Sequence, residues 1–232
     1  MINPFCKISL LKRRKNMSDS FFDVKQGKMN WRLSSLEKET DHPFLNFYVL
    51  HYDVLKEGSH KEHRYFLASR KKENDLRPLI HDYTNPDAVV VGLYRFHKGR
   101  LEILLTKQFR PAIGNYVFSV PAGLIEGKET LNEALLREIR EEVGASSVEN
   151  IEVLTPFSPT SSGLSDECNA FLMAEVKETA SASLEEFEDI DSKFVPIEEC
   201  LSLFQDPKYI IPLHVRIWLL YMAERFKAKE NG

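Results

Sequence analysis

Residues Gly123–Ala145 read GLIEGKETLNEALLREIREEVGA, a glycine turn leading into one helix. With 3.6 residues per turn, Glu138, Glu141 and Glu142 stand at i, i+3 and i+4, so their carboxylates share one narrow stripe. Projected at about 100° per residue, that stripe also carries Leu131, Ala134 and Leu135, while Glu133, Arg137 and Arg140 fall on the opposite side. The helix is therefore expected to bury its first half and to turn acidic groups into the protein with its second. Like charges at this spacing repel by a few tenths of a kcal/mol, and carboxylates near a helix C-terminus oppose the macrodipole. Something positive must compensate. Hard divalent cations with oxygen ligands meet that need, since Mg²⁺ is held by one or two carboxylates with waters and substrate phosphates. The alternative is an exposed helix whose glutamates pair with Arg137, Arg140 and solvent.

The stretch resembles the Nudix box: a glycine, five residues, a glutamate, seven residues, then arginine, glutamate, an apolar residue, any residue, two glutamates, any residue, glycine and a small or apolar residue. Here these are Gly123, Glu129, Arg137, Glu138, Ile139, Glu141, Glu142, Gly144 and Ala145. The segment KQFRPAIGNYVFSVPAGLIEGKE further resembles the ADP-ribose pyrophosphatase branch of Nudix hydrolases. There an arginine-proline pair and a PAGL turn precede the box, and a proline follows its last glycine by about fifteen residues, as Pro159 follows Gly144.

That resemblance implies a role for each matching residue. Glu138 and Glu142 would be the principal ligands of Mg²⁺ or Mn²⁺, Glu141 a further ligand or catalytic group, and the carbonyl of Ala122 another ligand. Glu129 would pair with Arg137 and hold the loop-helix-loop in shape around Gly123 and Gly144. Leu124 would lie by the substrate through its backbone, and the Arg110 guanidinium would bind near the diphosphate, a surface ion pair being the alternative. On the loop Phe157–Asn169 a glutamate would serve as catalytic base or further metal ligand. Glu167 matches best, and Asp166 is the other candidate. Trp31, with Phe44, Phe47 and Tyr48, would either stack on a base or belong to the core.

Around the box, composition and pattern set the frame. With 232 residues, 43% hydrophobic and 28% charged, the chain fits a globular domain with an extension. A net charge of −4 gives no footprint for nucleic acid, and no apolar run reaches the length needed to span a bilayer. Cys6, Cys168 and Cys200 lie far apart without metal spacing, pointing to a reducing cytoplasm. Residues 1–17 read as a disordered leader, Met17 being a possible start, and 18–84 as a small antiparallel extension. In it Leu45–Leu55 and His60–Arg70 form a hairpin, followed by the linker Lys71–Asp87.

Residues 85–232 read as the Nudix domain, of α/β (α+β) class, with a mixed sheet sandwiched between helices as the resemblance implies. Strands are expected at Ala88–Phe96, Leu101–Phe109, Tyr116–Gly123, Ile151–Thr155, Ala170–Lys177 and Lys193–Pro196, and helices at Ile197–Phe204 and His214–Lys227. The implied activity is metal-dependent hydrolysis of a nucleoside diphosphate derivative, with ADP-ribose giving AMP and ribose 5-phosphate. Another nucleotide sugar such as GDP-mannose, or a non-catalytic nucleotide sensor, is the alternative. The aromatic hairpin is too small to stand alone, and with the resemblance it implies a homodimer, against a hairpin folded wholly on its own domain.

Overall fold

The computed structural model describes residues 27–184 and 189–227. The leader expected over 1–17, with Cys6 and Met17, lies outside the described residues, as does the start of the expected extension. Two compact units are present, one formed by the residues up to Asp82 with Ser161–Glu167, the other by Tyr83–Thr160 with the residues from Cys168.

In the first unit, β1 (Asn30–Lys38), β2 (Asn46–Lys56) and β3 (Ser59–Ser69) form an antiparallel sheet in that order. β2 and β3 are the expected hairpin, in register from Asn46↔Ser69 to Lys56↔Ser59. Its two turn residues, Glu57 and Gly58, both have positive φ, the turn whose twist suits paired strands. Alternation sends Tyr48, Leu50 and Leu67 to one face, where they bury Leu76 and are flanked by Leu33, Leu36, Tyr52 and Tyr65. β1 escapes a reading of pattern because a register shift between Leu33 and Ser35 breaks its alternation. The stretch expected as linker is more ordered than its polarity suggests. It holds the short helix α1 (Arg77–Ile80), a fully buried Leu76 and a buried Arg77.

The second unit is built on β4 (Ala88–His97), β5 (Arg100–Arg110), β6 (Asn115–Ser119), β7 (Ala122–Leu124), β8 (Ala145–Pro159), β9 (Cys168–Thr179) and β10 (Ile190–Pro196). The order is β10-β5-β4-β9-β8, with β6 on β5 and β7 on β4. β4 and β9 run parallel while the other pairs are antiparallel, so the sheet is mixed. Helix α2 (Leu131–Val143) covers one face through Ala134, Leu135, Ile139 and Val143, against Val89, Val91 and Leu93 of β4. Helices α3 (Ile197–Ser202) and α4 (Leu213–Phe226) cover the other, where Val215, Trp218, Leu219 and Met222 meet Val90 and Tyr94. The continuous apolar run of β4 follows from this: successive side chains enter cores on opposite faces. The mixed α+β sandwich expected from the sequence is thus present.

Several strand limits differ from expectation: the single strand expected over Tyr116–Gly123 is divided into β6 and β7, which pair with different neighbours, and β10 begins at Ile190 rather than Lys193. β8 spans 15 residues rather than the five of Ile151–Thr155, and its repeated register shifts against β9 hide its alternation. The loop expected over Phe157–Asn169 is correspondingly shorter, since β8 reaches Pro159 and β9 begins at Cys168. No helix among the described residues is long and apolar enough to cross a membrane.

Gly92 of β4 sets how closely α4 approaches the sheet, for a Cβ there would lie 2.3 Å from the Trp218 ring. Gly92→Ala must displace a rigid indole that is 3% exposed, so it is expected to destabilise the fold by about 1–3 kcal/mol, as overpacking does. Denaturant unfolding measures this, and an unchanged midpoint would show that α4 can yield at no cost.

Candidate active site

The helix that carries the acidic stripe is fixed at both ends. At its start Thr130 Oγ1 accepts from Glu133 N and Glu133 Oε2 accepts from Thr130 N, a reciprocal cap. This T-x-x-E signal is present in the sequence and locates the helix start, a point the box reading passes over. At its end Gly144 has φ 66°, and a Cβ there would strike Ala180 O at 2.1 Å, so glycine is required both by conformation and by space. Ala145 is buried immediately beyond.

The buried side of α2 is Ala134, Leu135, Glu138, Ile139, Glu142 and Val143. Ile139 and Val143 pull the buried arc towards themselves, which corrects the expectation that all three carboxylates turn inward. Glu138 and Glu142 are each 7% exposed, whereas the Glu141 side chain is 48% exposed. Arg137 does not lie opposite the acidic stripe either; it borders it. Its Nε and Nη2 donate to the two carboxylate oxygens of Glu129 at 2.8 and 2.9 Å. Nη2 also donates to Leu124 O at 2.8 Å, and Nη1 to Glu138 Oε1 at 2.7 Å and Glu141 Oε2 at 3.3 Å. One planar fork thereby joins the turn, the loop and the helix, a geometry no lysine reproduces.

Charge follows geometry. The Arg137 guanidinium, aided by the Glu126 N–H, holds the Glu129 carboxyl at about 2. Arg137 is in turn pushed up, mainly by Glu129, against the opposing effect of burial.

β7 delivers the backbone to this cluster. It pairs with β4 through Ala88↔Leu124, Val89↔Gly123 and Val90↔Ala122. Glu142 Oε2 accepts from Ala122 N at 3.1 Å. Glu138 packs so tightly on Gly123 that a Cβ there would fall 1.9 Å from its Oε1. Gly123 thus makes room for a carboxylate. Among the described residues no three His, Cys, Asp or Glu side chains are already gathered around a common ion position; Glu138 and Glu141 are turned to Arg137, and Glu142 to a backbone N–H. The donor chemistry nevertheless fits a hard divalent cation: two buried carboxylates on successive turns, a third beside them, and a backbone turn against one of them.

The structure therefore brings together Ala122, Gly123, Leu124, Glu129, Arg137, Glu138, Glu141, Glu142 and Gly144. Arg110 is exposed at the end of β5, where its carbonyl accepts from Ile113 N and Gly114 N, and among the described residues no carboxylate pairs with its side chain. Glu167 belongs to the first unit, where its Oε2 accepts from Arg70 Nε at 3.1 Å. Trp31 also lies there, 49% exposed, with edge contacts to Tyr52 and His63. It is a half-covered edge residue of the sheet, not a buried core residue. Cys168 is buried.

A family model described as the NUDIX domain matches residues 84–214. Over 60 residues the chain is 43% identical to an uncharacterized Nudix hydrolase of Schizosaccharomyces pombe, covering 26% of this chain and 29% of that protein. Over 45 residues it is 51% identical to the ADP-ribose pyrophosphatase of Saccharomyces cerevisiae, covering 19% of this chain and 20% of that protein. The matched stretches thus span less than a third of either relative's length. Among solved structures, a crystal structure of ADP compounds hydrolase aligns with a TM-score of 0.62 at 14% identity, covering 86% of this chain and 95% of that one. That likeness is one of fold. The family model covers more than half of the chain, and the box helix, its turn and its arginine fork are in place. The protein belongs to the Nudix family.

Proposed function

We propose that the protein hydrolyses the diphosphate linkage of ADP-ribose, giving AMP and ribose 5-phosphate, with Mg²⁺ or Mn²⁺ as cofactor. The observation that carries this reading is the pair of buried carboxylates, Glu138 and Glu142, set against the Ala122–Gly123 turn. Buried carboxylates near a helix end are costly without compensating charge; Arg137 supplies part of it to Glu138, and a cation would supply it to both. Nudix hydrolases generally need divalent metal ions, and the match to the yeast ADP-ribose pyrophosphatase supports the substrate.

In this reading Glu138, Glu142, Glu141 and the Ala122 carbonyl hold the cation. Bound there, it supplies Lewis-acid neutralisation of the diphosphate charge and makes water more acidic. Arg110 grips a diphosphate oxygen through its exposed fork, and Leu124 presents backbone to the substrate. A Glu167 carboxylate oxygen accepts the proton of the attacking water. Arg137 and Glu129 keep the turn and the helix in register, and Trp31 offers its exposed ring to a base. That Cys168 and Cys200 are both buried as small core residues accords with a reducing cytoplasm.

The dimer belongs to the same reading. Phe47 and Phe66 stack on one face of the first unit's sheet, opposite the face that buries Tyr48 and Leu67, and Phe44 stands 72% exposed. A second copy would cover these rings.

Glu142→Gln keeps size and helix propensity while removing the charge. Turnover of ADP-ribose with Mg²⁺ is expected to fall on the order of 100-fold or more, with melting unchanged or slightly raised. Parent-rate turnover would overturn the ligand assignment.

Glu129→Gln is expected to lower melting temperature and activity together. The Glu129 carboxyl sits at about 2 against an ordinary 4.5, so its contribution is complete above pH 4.5 and is lost as pH falls through about 2. The stability gap between parent and variant should narrow over that window. A gap that widens on acidification would contradict the pairing with Arg137, and full loss of activity at unchanged melting would place Glu129 at the cation instead.

Light scattering at micromolar concentration should give twice the chain mass, and Phe66→Lys should halve it. A monomeric parent would remove the dimer.

A further inference from the structure

The segment Ser161–Glu167 closes on itself, with Leu164 N and Ser165 N both donating to Ser161 O at 2.9 Å, and is then held by β3 and α1. Ala68 N donates to Leu164 O at 2.9 Å, and Ala68 and Ser165 form a parallel bridge. Tyr65 Oη donates to Ser162 O at 3.3 Å.

The deepest anchor is Arg77, 4% exposed. Its backbone N–H donates to Asp166 Oδ2 at 3.2 Å, its Nε to Asp166 O at 2.8 Å, and its Nη1 to Asp82 O at 2.7 Å. A buried guanidinium is strongly disfavoured without such acceptors, so Arg77 and the Asp166 backbone hold each other. One residue further on stands Glu167, whose side chain meets Arg70.

We propose that Arg77 is a positioning residue for the loop carboxylate. By gripping both the carbonyl and the carboxylate of Asp166, it fixes the backbone from which Glu167 projects. This rests on the reading of Glu167 as proton acceptor given above. It also gives the first unit a second task beside dimerisation, since the residues that aim the loop come from β3 and α1. Lysine cannot substitute, for its single ammonium has no rigid fork to reach two carbonyls at once.

The test is a double-mutant cycle on the full chain, with steady-state hydrolysis of ADP-ribose and Mg²⁺ as readout. Arg77→Lys is expected to lower kcat about 10- to 100-fold, as loss of a group supporting a catalytic residue does, with KM changed less than about threefold. Because Arg77 acts through Glu167, adding Arg77→Lys to Glu167→Gln should cost less than about threefold more. An equal loss in both backgrounds, or parent kcat in Arg77→Lys, overturns the proposal. Parent-rate turnover by Glu167→Gln instead overturns the reading of Glu167, and the proposal falls with it. If Arg77→Lys does not fold, Asp166→Ala leaves the guanidinium both backbone acceptors. Its smaller kcat loss should likewise disappear beside Glu167→Gln, and persistence of that loss overturns the proposal.

Discussion

The five hydrogen bonds of the Arg137 fork are the constraint on which the candidate site depends. Three carboxylates and a backbone carbonyl, from a turn, a loop and a helix, converge on one guanidinium. Without it, the turn at Leu124 and the acid-bearing helix would have no shared reference, and Glu138 would be a buried charge with a major partner removed. The fork explains why arginine, and not lysine, stands between the loop and the helix. Of the two buried carboxylates, Glu138 accepts from this fork and Glu142 accepts from the Ala122 N–H.

The sheet gives this arrangement its rigidity. β4 is buried on both faces and passes between α2 and α4, and β7, pairing with it, carries Ala122–Leu124 to the helix. Close approach occurs at both levels. Gly92 admits the Trp218 ring on one face, and Gly123 admits the Glu138 carboxylate beside β4. A site whose groups sit on strands and a doubly capped helix is held more firmly than one made from loops alone. Ser161–Glu167 is held within the first unit by Ala68 of β3 and by Arg77.

Much of this was legible in the residues, and the exceptions have local causes. The box helix, the β2–β3 hairpin and the strand β4 follow from periodicity and turn chemistry. β1 and the length of β8 did not, because bulges break the alternation that betrays a strand. Ideal projection placed Glu141 inside and Arg137 opposite, since it weighs angle and not the pull of Ile139 and Val143. Arg77 was hidden in a stretch that composition marks as linker; its importance comes from two carbonyls distant in sequence or in the next turn of chain, which no local pattern announces.

In the function proposed above, the buried carboxylates on α2 support metal-dependent cleavage of a nucleoside diphosphate derivative. The most direct measurement follows products from ADP-ribose in ¹⁸O-labelled water, with Mg²⁺, with Mn²⁺ and with chelator. The predicted result is AMP and ribose 5-phosphate in equal amounts, one of them carrying the label, with either cation and with neither product in chelator. Release at the same rate in chelator would contradict it. So would ADP-ribose binding with no hydrolysis of this or any other nucleoside diphosphate derivative in the presence of either cation.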